Sequence, residues 1–184
     1  MILAVIPAKG GSNRLPGKNM LPINGRPLLD YSVDAARASK RVGRIVVSTD
    51  DDAIDAHARK LGLEVVRRPE SLGGETPIIE VYRHCLNELN DASVTVVVGL
   101  QPDHPDRDLS VDETLLIFER DGADRLMSTE ANGTKNGAHY VLSRHFVETG
   151  TSHKDTVVVD DCTNIHFQAD LDRATARLMT RPGQ

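Results

Sequence analysis

Short apolar runs alternate with amphipathic stretches along most of the chain. Runs rich in Val and Ile at residues 2–6, 44–48, 64–66, 94–100, 138–142 and 156–159 have the length of strands. Those without polar interruptions predict strands covered on both faces. A further strand is expected at 125–128. Between the early runs, residues 27–39, 51–61 and 77–89 carry apolar positions at helical spacing, as in Ile78, Val81, Tyr82, Cys85, Leu86 and Leu89. Pro27 and Pro77 suit a first helical turn, and Asp50 or Asp51 can cap the second helix. Strand alternating with helix over the first two-thirds of the chain predicts a mainly parallel α/β sheet.

Ligands of such sheets bind beyond the carboxyl ends of the strands. Three loops should meet on that edge: AKGGSNRLPGKN at 8–19, RRPESLGGETP at 67–77 and QPDHPDRD at 101–108. No internal repeat, low-complexity tract or linker interrupts the pattern, and EANGTKN at 130–136 reads as the most loop-like part of the second half.

Composition narrows the function. At 184 residues, one domain is expected. Aromatics make up 3% and Trp is absent, which argues against an aromatic platform for stacked bases. The net charge of −5 argues against a nucleic-acid footprint. Any phosphate the chain handles should be small and met by a local group of cations. Cys85 and Cys162 form neither a CxxC pair nor a repeated spacing, so two reduced thiols are expected. The apolar run before Pro7 is too short for a leader or a membrane span, which makes the cytoplasm the default location.

The opening loop concentrates Lys9, Arg14 and Lys18 around Gly10 and Gly11. Paired glycines can shape a backbone nest for an anion, and the cations can surround it. A solvated turn would share this composition. The P-loop pattern does not fit, because Ser12 stands at its first glycine and Asn19 at its Ser/Thr. Nor does the dinucleotide fingerprint, since its first two glycines are separated.

IPAKGGSNRLPGKN resembles the signature loop of the acylneuraminate and KDO cytidylyltransferases, roughly I-P-A-R-x-G-S-x-R-L-P-x-K-N. The resemblance continues through NGRPLLDYSVDAARAS, RIVVSTDDDAIDAHARKLGLEVVRRPESL, residues 75–86 and NGAHYVL. It implies a three-layer α/β/α sandwich similar to the nucleotide-diphospho-sugar transferase (GT-A-like) fold, with a mixed, mostly parallel sheet. It also implies that Ala8, Gly10, Gly11, Ser12 and Asn19 hold CTP, that Lys9, Arg14 and Lys18 stabilise its phosphates, and that Arg68 approaches the base.

QPDHPDR looks like a hybrid of the sialate and KDO patterns. By that likeness Asp103 takes the place of a magnesium ligand, and Gln101 and Arg107 follow the sialate pattern toward the acceptor. His104 and His139 lie in matched regions and could face the acceptor as well. Relatives carry D-I-D-T-x-x-D-L near the C-terminus, where this chain reads NIHFQADL. Asn164 and His166 replace two acids, so His166 becomes a candidate ligand with a preference for Mn²⁺, Zn²⁺ or Fe²⁺ over Mg²⁺. As an alternative, His166 is a half-buried strand histidine without a ligand. The family's dimerisation insert is reduced to about eight residues near 129–136, which puts the usual homodimer in doubt.

The resemblance thus implies Mg²⁺-dependent transfer of CMP from CTP to an acidic 2-keto-3-deoxy sugar, a nonulosonate or KDO-like acid, with release of pyrophosphate. A smaller phosphonate or other acid is an alternative acceptor, UTP or GTP an alternative donor, and a non-catalytic nucleotide binder an alternative class. Neither nucleic acid nor membrane is an expected partner.

Overall fold

The computed structural model describes residues 1–12, 14–74 and 76–180. Asn13 of the opening loop and Glu75 of the third-strand loop lie outside them.

The first half follows the periodicity. β1 (Ile2–Pro7) leads through a 3₁₀ turn (Lys18–Met20) and the small hairpin β2 (Pro22–Ile23) and β3 (Arg26–Pro27) into α1 (Leu28–Ala38). β4 (Val42–Thr49), α2 (Asp52–Lys60), β5 (Glu64–Arg67), α3 (Ile78–Leu89) and β6 (Val96–Gly99) follow. Asp51 caps α2, its carboxylate accepting from the N–H groups of Ala53 and Ile54. β6 is shorter than its apolar run: Val94 is buried outside the strand and Leu100 already belongs to the loop.

The second half holds α4 (Val111–Asp121), β7 (Arg125–Thr129), β8 (Lys135–Ser143), α5 (Arg144–Thr149), β9 (Asp155–Val159) and α6 (Gln168–Thr180). These helices go beyond the sequence expectation. α4 starts in a capping box between Ser110 and Glu113, a signal that was present in the sequence. The expected loop at 130–136 contracts to a tight turn, because the Glu130 N–H reaches the Thr134 carbonyl and Lys135 and Asn136 already belong to β8.

Seven strands form one sheet in the order β5-β4-β1-β6-β8-β7-β9. β8 runs antiparallel to both neighbours while the other pairings are parallel, which makes the sheet mixed but mostly parallel. α1, α2 and α4 cover one face through Leu29, Val33, Ile54, Leu115 and Phe118. On the other face α3 and α5 pack Tyr82, Cys85, Leu86, Phe146 and Val147 against Leu3, Val5 and Val97. α6 closes a third apolar cluster around Ile23, Leu28 and Ile165.

From β1 the chain moves outward to β4 and β5, then returns to place β6 on the other side of β1. The strand order reverses there, so a crevice opens beyond the ends of β1 and β6.

Candidate active site

The loop after β1 is fastened at its start. The Ala8 N–H donates to the Ser48 carbonyl (2.9 Å) and the Gly10 N–H to Asp50 Oδ1 (2.8 Å). A Cβ on Gly10 would come within 2.5 Å of Asp51 Oδ2, so the glycine is required by close approach to the cap of α2. This corrects the expectation of a nest. Neither Gly10 nor Gly11 has positive φ, and the Gly10 N–H is already engaged by a carboxylate. The left-handed residue is Gly17 (φ 64°), which turns the chain into the 3₁₀ segment carrying Lys18 and Asn19.

Six of the candidates line one cavity of about 250 Å³ at the switch point: Lys9, Lys18, Asn19, Arg68, Gln101 and Asp103. Gly74 and Thr76 of the third-strand loop form its far wall. Lys18 Nζ donates to Asp103 Oδ2 (2.8 Å) and to the Ile165 carbonyl (2.9 Å). One ammonium thereby joins the loops after β1, β6 and β9. Burial alone would raise the Asp103 carboxyl, but the adjacent His104 ring and the Lys18 ammonium hold it far below the ordinary carboxylate range. His104 Nδ1 lies 3.1 Å from Asp103 Oδ1 but off the hydrogen-bond direction, whereas the Lys18 contact is well aligned. Lys18 is therefore the partner that fixes the charge.

Asn19 is buried and its amide donates to the Lys9 carbonyl (2.8 Å), bracing the loop across its base. Lys9 is exposed, with Nζ 3.4 Å from the Gly74 carbonyl. Arg68 is only 8% exposed and donates to the Ser48 carbonyl (3.0 Å). Burial lowers its guanidinium pKa, and the nearby Asp50 charge opposes that shift.

The remaining candidates lie elsewhere. Arg14 is exposed, with Cζ 5.8 Å from the centre of the Phe167 ring. His166 lines a separate hollow of about 650 Å³ with Asn164, Phe167, Lys135 and Asp161. Burial and the nearby Lys18 charge lower its pKa. Gly11 and Ser12 line neither hollow.

Arg107, His104 and His139 do not face the cleft, which corrects their placement toward an acceptor. Arg107 donates to the carbonyls of Ala138, His104 and Gln101 and to the Ser32 hydroxyl. It braces the 101–110 loop against α1 and β8. His104 is fully buried beneath that loop. His139 is fully buried too, its Nε2 3.0 Å from Asp160 Oδ2. Asp160 also accepts from the N–H groups of Asp108 and Leu109 (3.0 and 3.1 Å). Asp106 completes the clamp by accepting from the Thr163 N–H and hydroxyl (both 2.8 Å).

Among the described residues no group of three or more His, Cys, Asp and Glu side chains forms a metal cage. Asp103 Oδ1 is buried without a hydrogen-bond partner and lies on the His104 side of the carboxylate, while Oδ2 accepts from Lys18, so the group has one oxygen of spare coordinating capacity. That suits a magnesium ion held mostly by phosphate oxygens and water, and not a preformed protein site. His166 lines the other hollow, and its ring feels the charges of Lys18, Asp103 and Arg14.

A family model described as cytidylyltransferase matches residues 3–108, more than half of the chain. The chain belongs to the cytidylyltransferase family. The 8-amino-3,8-dideoxy-manno-octulosonate cytidylyltransferase of Shewanella baltica is 35% identical over 130 residues, which cover 70% of this chain and 51% of that protein. The chain thus spans about half the length of the curated relatives it matches. Among solved structures, CMP:2-keto-3-deoxy-manno-octonic acid synthetase complexed with CTP superposes with a TM-score of 0.78 at 16% identity, covering 97% of this chain and 98% of the other. Rv0371C of Mycobacterium tuberculosis complexed with manganese superposes with a TM-score of 0.65 at 16% identity, covering 95% and 98%. These superpositions bear out the three-layer sandwich.

Several supporting residues of this cytidylyltransferase family member were not singled out from sequence. Gly137 (φ 79°) lets β8 approach Gln101: a Cβ there would lie 2.7 Å from Gln101 Oε1. Asp106 and Thr163 are separated by 57 positions, and no local pattern announces their pairing. Only the NGAHYVL match pointed toward Gly137.

Proposed function

We propose that the chain transfers CMP from CTP to an acidic 2-keto-3-deoxy sugar and releases pyrophosphate. The observation that carries this reading is the Lys18–Asp103 pair at the strand switch point, in one cavity with Lys9 and Arg68. In the reaction the acceptor hydroxyl oxygen bonds to the α-phosphorus, the bond to the bridging oxygen breaks, and the electron pair leaves with pyrophosphate. Charge moves onto the leaving group, so fixed cations beside the β- and γ-phosphates stabilise the transition state more than the ground state. Lys9 and Lys18 take that role here, and Arg14 at the rim extends it.

Asp103 would hold a magnesium ion, which would supply neutralisation of phosphate charge when bound. The clamp on the 101–110 loop keeps Asp103 on the carboxylate side of the cleft. Arg68 offers a buried, desolvated donor set to a base, with cytosine O2 as its acceptor. Gln101, packed beside Gly137 in the wall of the cavity, offers its amide to the acceptor. Among the described residues no helix is long and apolar enough to cross a membrane.

Pyrophosphate release with CTP, Mg²⁺ and 3-deoxy-manno-octulosonate or its 8-amino analogue tests the reading. Turnover abolished by EDTA and by Lys18→Ala is expected. CTP binding without pyrophosphate release across a panel of acidic acceptors would sink it and leave a non-catalytic nucleotide binder. The tight turn at 130–134 favours a second reading in which the acceptor is a smaller acid, because little chain is left there to wall a large sugar.

A further inference from the structure

The cleft and the hollow of about 650 Å³ share a wall. The Ile165 N–H donates to the Asp103 carbonyl (3.0 Å) and the Ile165 carbonyl accepts from Lys18 Nζ (2.9 Å), which laces this stretch to the Lys18–Asp103 pair. Ile165 is fully buried, whereas Asn164 and His166 on either side of it line the hollow. Phe167 continues the lining and carries Arg14 of the opening loop over its ring. A single segment of chain therefore separates the hollow from Lys18 and Asp103, and the volume suits a molecule the size of a sugar acid.

Most charges of the hollow are engaged within the protein. Arg173 pairs with Asp170 (3.1 Å), whose other oxygen accepts from the His166 and Phe167 N–H groups. Arg177 pairs with Asp106 (2.8 Å) and donates to the Asp161 carbonyl (2.8 Å), which fixes that residue in the lining. Glu130 accepts from the Asn132 amide within its own turn (3.2 Å). Lys135 and Asp161 remain, one charge of each sign. Both are exposed, and among the described residues neither side chain has a salt bridge or hydrogen bond. Asp155, the acid whose charge Lys135 feels, is paired with Arg125. Asn164 Oδ1 is buried in the same wall without a donor, an atom that calls for one from water or a ligand.

Position orders the two free charges. Lys135 opens β8, two residues before the Gly137 that abuts Gln101 of the cleft. Asp161 follows β9, which is two strands further out in the order β8-β7-β9, or about 10 Å at ordinary strand spacing.

We infer that this hollow holds the acceptor and selects an acid that also carries an amino group, with Lys135 meeting the carboxylate and Asp161 the ammonium. The acceptor's role in the reaction rests on the function proposed above, while the charge pattern stands on its own. A ligand with negative charge alone satisfies Lys135 and is opposed by Asp161 and Glu130. A ligand with both signs meets a complementary charge at each end. Of the two octulosonates named above, the 8-amino form has that pattern, its carboxylate at one end and its amine at the other.

Pyrophosphate release with CTP and Mg²⁺ tests the selection, comparing 3-deoxy-manno-octulosonate with its 8-amino analogue. A partly exposed charge pair changes affinity by up to about fivefold. KM for the amino form should accordingly be about fivefold lower, and the preference should shrink at high salt. Asp161→Asn should bring the two acceptors level and Asp161→Lys should reverse their order, with KM for CTP unchanged. Lys135→Ala should raise KM for both acceptors, and Lys135→Arg should restore it. Both positions are exposed, so an unchanged melting temperature checks that each variant folds. Calorimetry of each acid in the presence of CTP and EDTA reads binding apart from turnover. Amino-selective binding that depends on Asp161, without pyrophosphate release, would keep the hollow's role and overturn the reaction. Turnover of both acceptors at equal KM, or a preference untouched by Asp161→Asn, would overturn the inference and leave the reaction standing. Neither binding nor turnover of either acid would overturn both.

Discussion

The half of the sheet built from β1, β4, β5 and β6 and the half built from β7, β8 and β9 hold their loops by different means. In the first, apolar strands run parallel and the polar residues sit beyond their ends, where Lys9, Lys18 and Arg68 face the cleft. In the second, polar groups are inside: Ser128, Asn136, His139, Asp160 and Thr163 are each at most 4% exposed. They satisfy one another and the backbone of the 101–110 loop. The cleft's chemistry thus lies mainly on one half and much of its positioning on the other. A buried polar network fixes geometry and is costly when one member is lost, although His139 Nδ1 is itself left without a partner here.

The largest break in this division should come from Asp160→Ala. It removes the acceptor for the half-buried Asp108 and Leu109 N–H groups and for the fully buried His139. A loss of about 3–5 kcal/mol in unfolding free energy is expected, read from chemical denaturation. Activity should fall with it, because Asp103 rides on the loop that Asp160 holds. A variant with intact stability would show that the clamp contributes nothing to the fold.

Lys18→Ala sharpens the contrast from the other side. Removing one preorganised cation from a phosphoryl-transfer site should lower kcat by roughly 10²–10³-fold. Stability should fall less than in Asp160→Ala, since the Asp103 carboxylate left behind is 17% exposed and can take up water, whereas Asp160 is fully buried. If Asp160→Ala and Lys18→Ala reduced stability and activity in the same proportion, the two halves would not be playing separate parts. Gly137→Ala sits between these cases. It places a Cβ against Gln101 in a left-handed backbone, so about 1–3 kcal/mol of stability is expected to be lost. As Gln101 yields, KM for the acceptor should rise while kcat changes less.

The same contrast explains what was legible in the sequence. Period and length revealed the strands and helices of the first half, because strands covered on both faces read as uninterrupted apolar runs. The collinear match brought Lys9, Lys18, Asn19, Arg68, Gln101 and Asp103 together, and the structure gathers them in one cavity. The second half was harder to read. Thr129, Asn136, His139 and Asp160 look like surface residues in a one-dimensional pattern, yet tertiary partners many positions away allow their burial. Arg107, His104 and His139 were placed toward the acceptor because they lie in the matched regions, and such a match does not reveal which polar residues are buried. A polar residue in a site-forming loop is as often a brace as a contact. α4 was legible through Ser110 and Glu113, whereas α5, with six residues, is too short for a helical period to emerge.

The smallest effect expected is the dependence of stability on pH, and its sign separates the halves once more. Burial lowers the His139 pKa, against the opposing pull of Asp160. The unfolded chain therefore binds a proton near pH 6.5 that the folded chain refuses, and stability falls as pH drops below that value. Asp160 acts in the same direction at lower pH. Burial raises its carboxyl, but His139 and the two backbone N–H groups depress it further, so its contribution is present above about pH 3.9 and lost below. The slope set by His139 can reach at most about 1.4 kcal/mol per pH unit. His139→Gln keeps a donor for Asp160 and removes the titration, so its melting temperature should decline less than that of the wild type between pH 6.5 and 5. An unchanged decline would assign the acid sensitivity to groups outside the clamp.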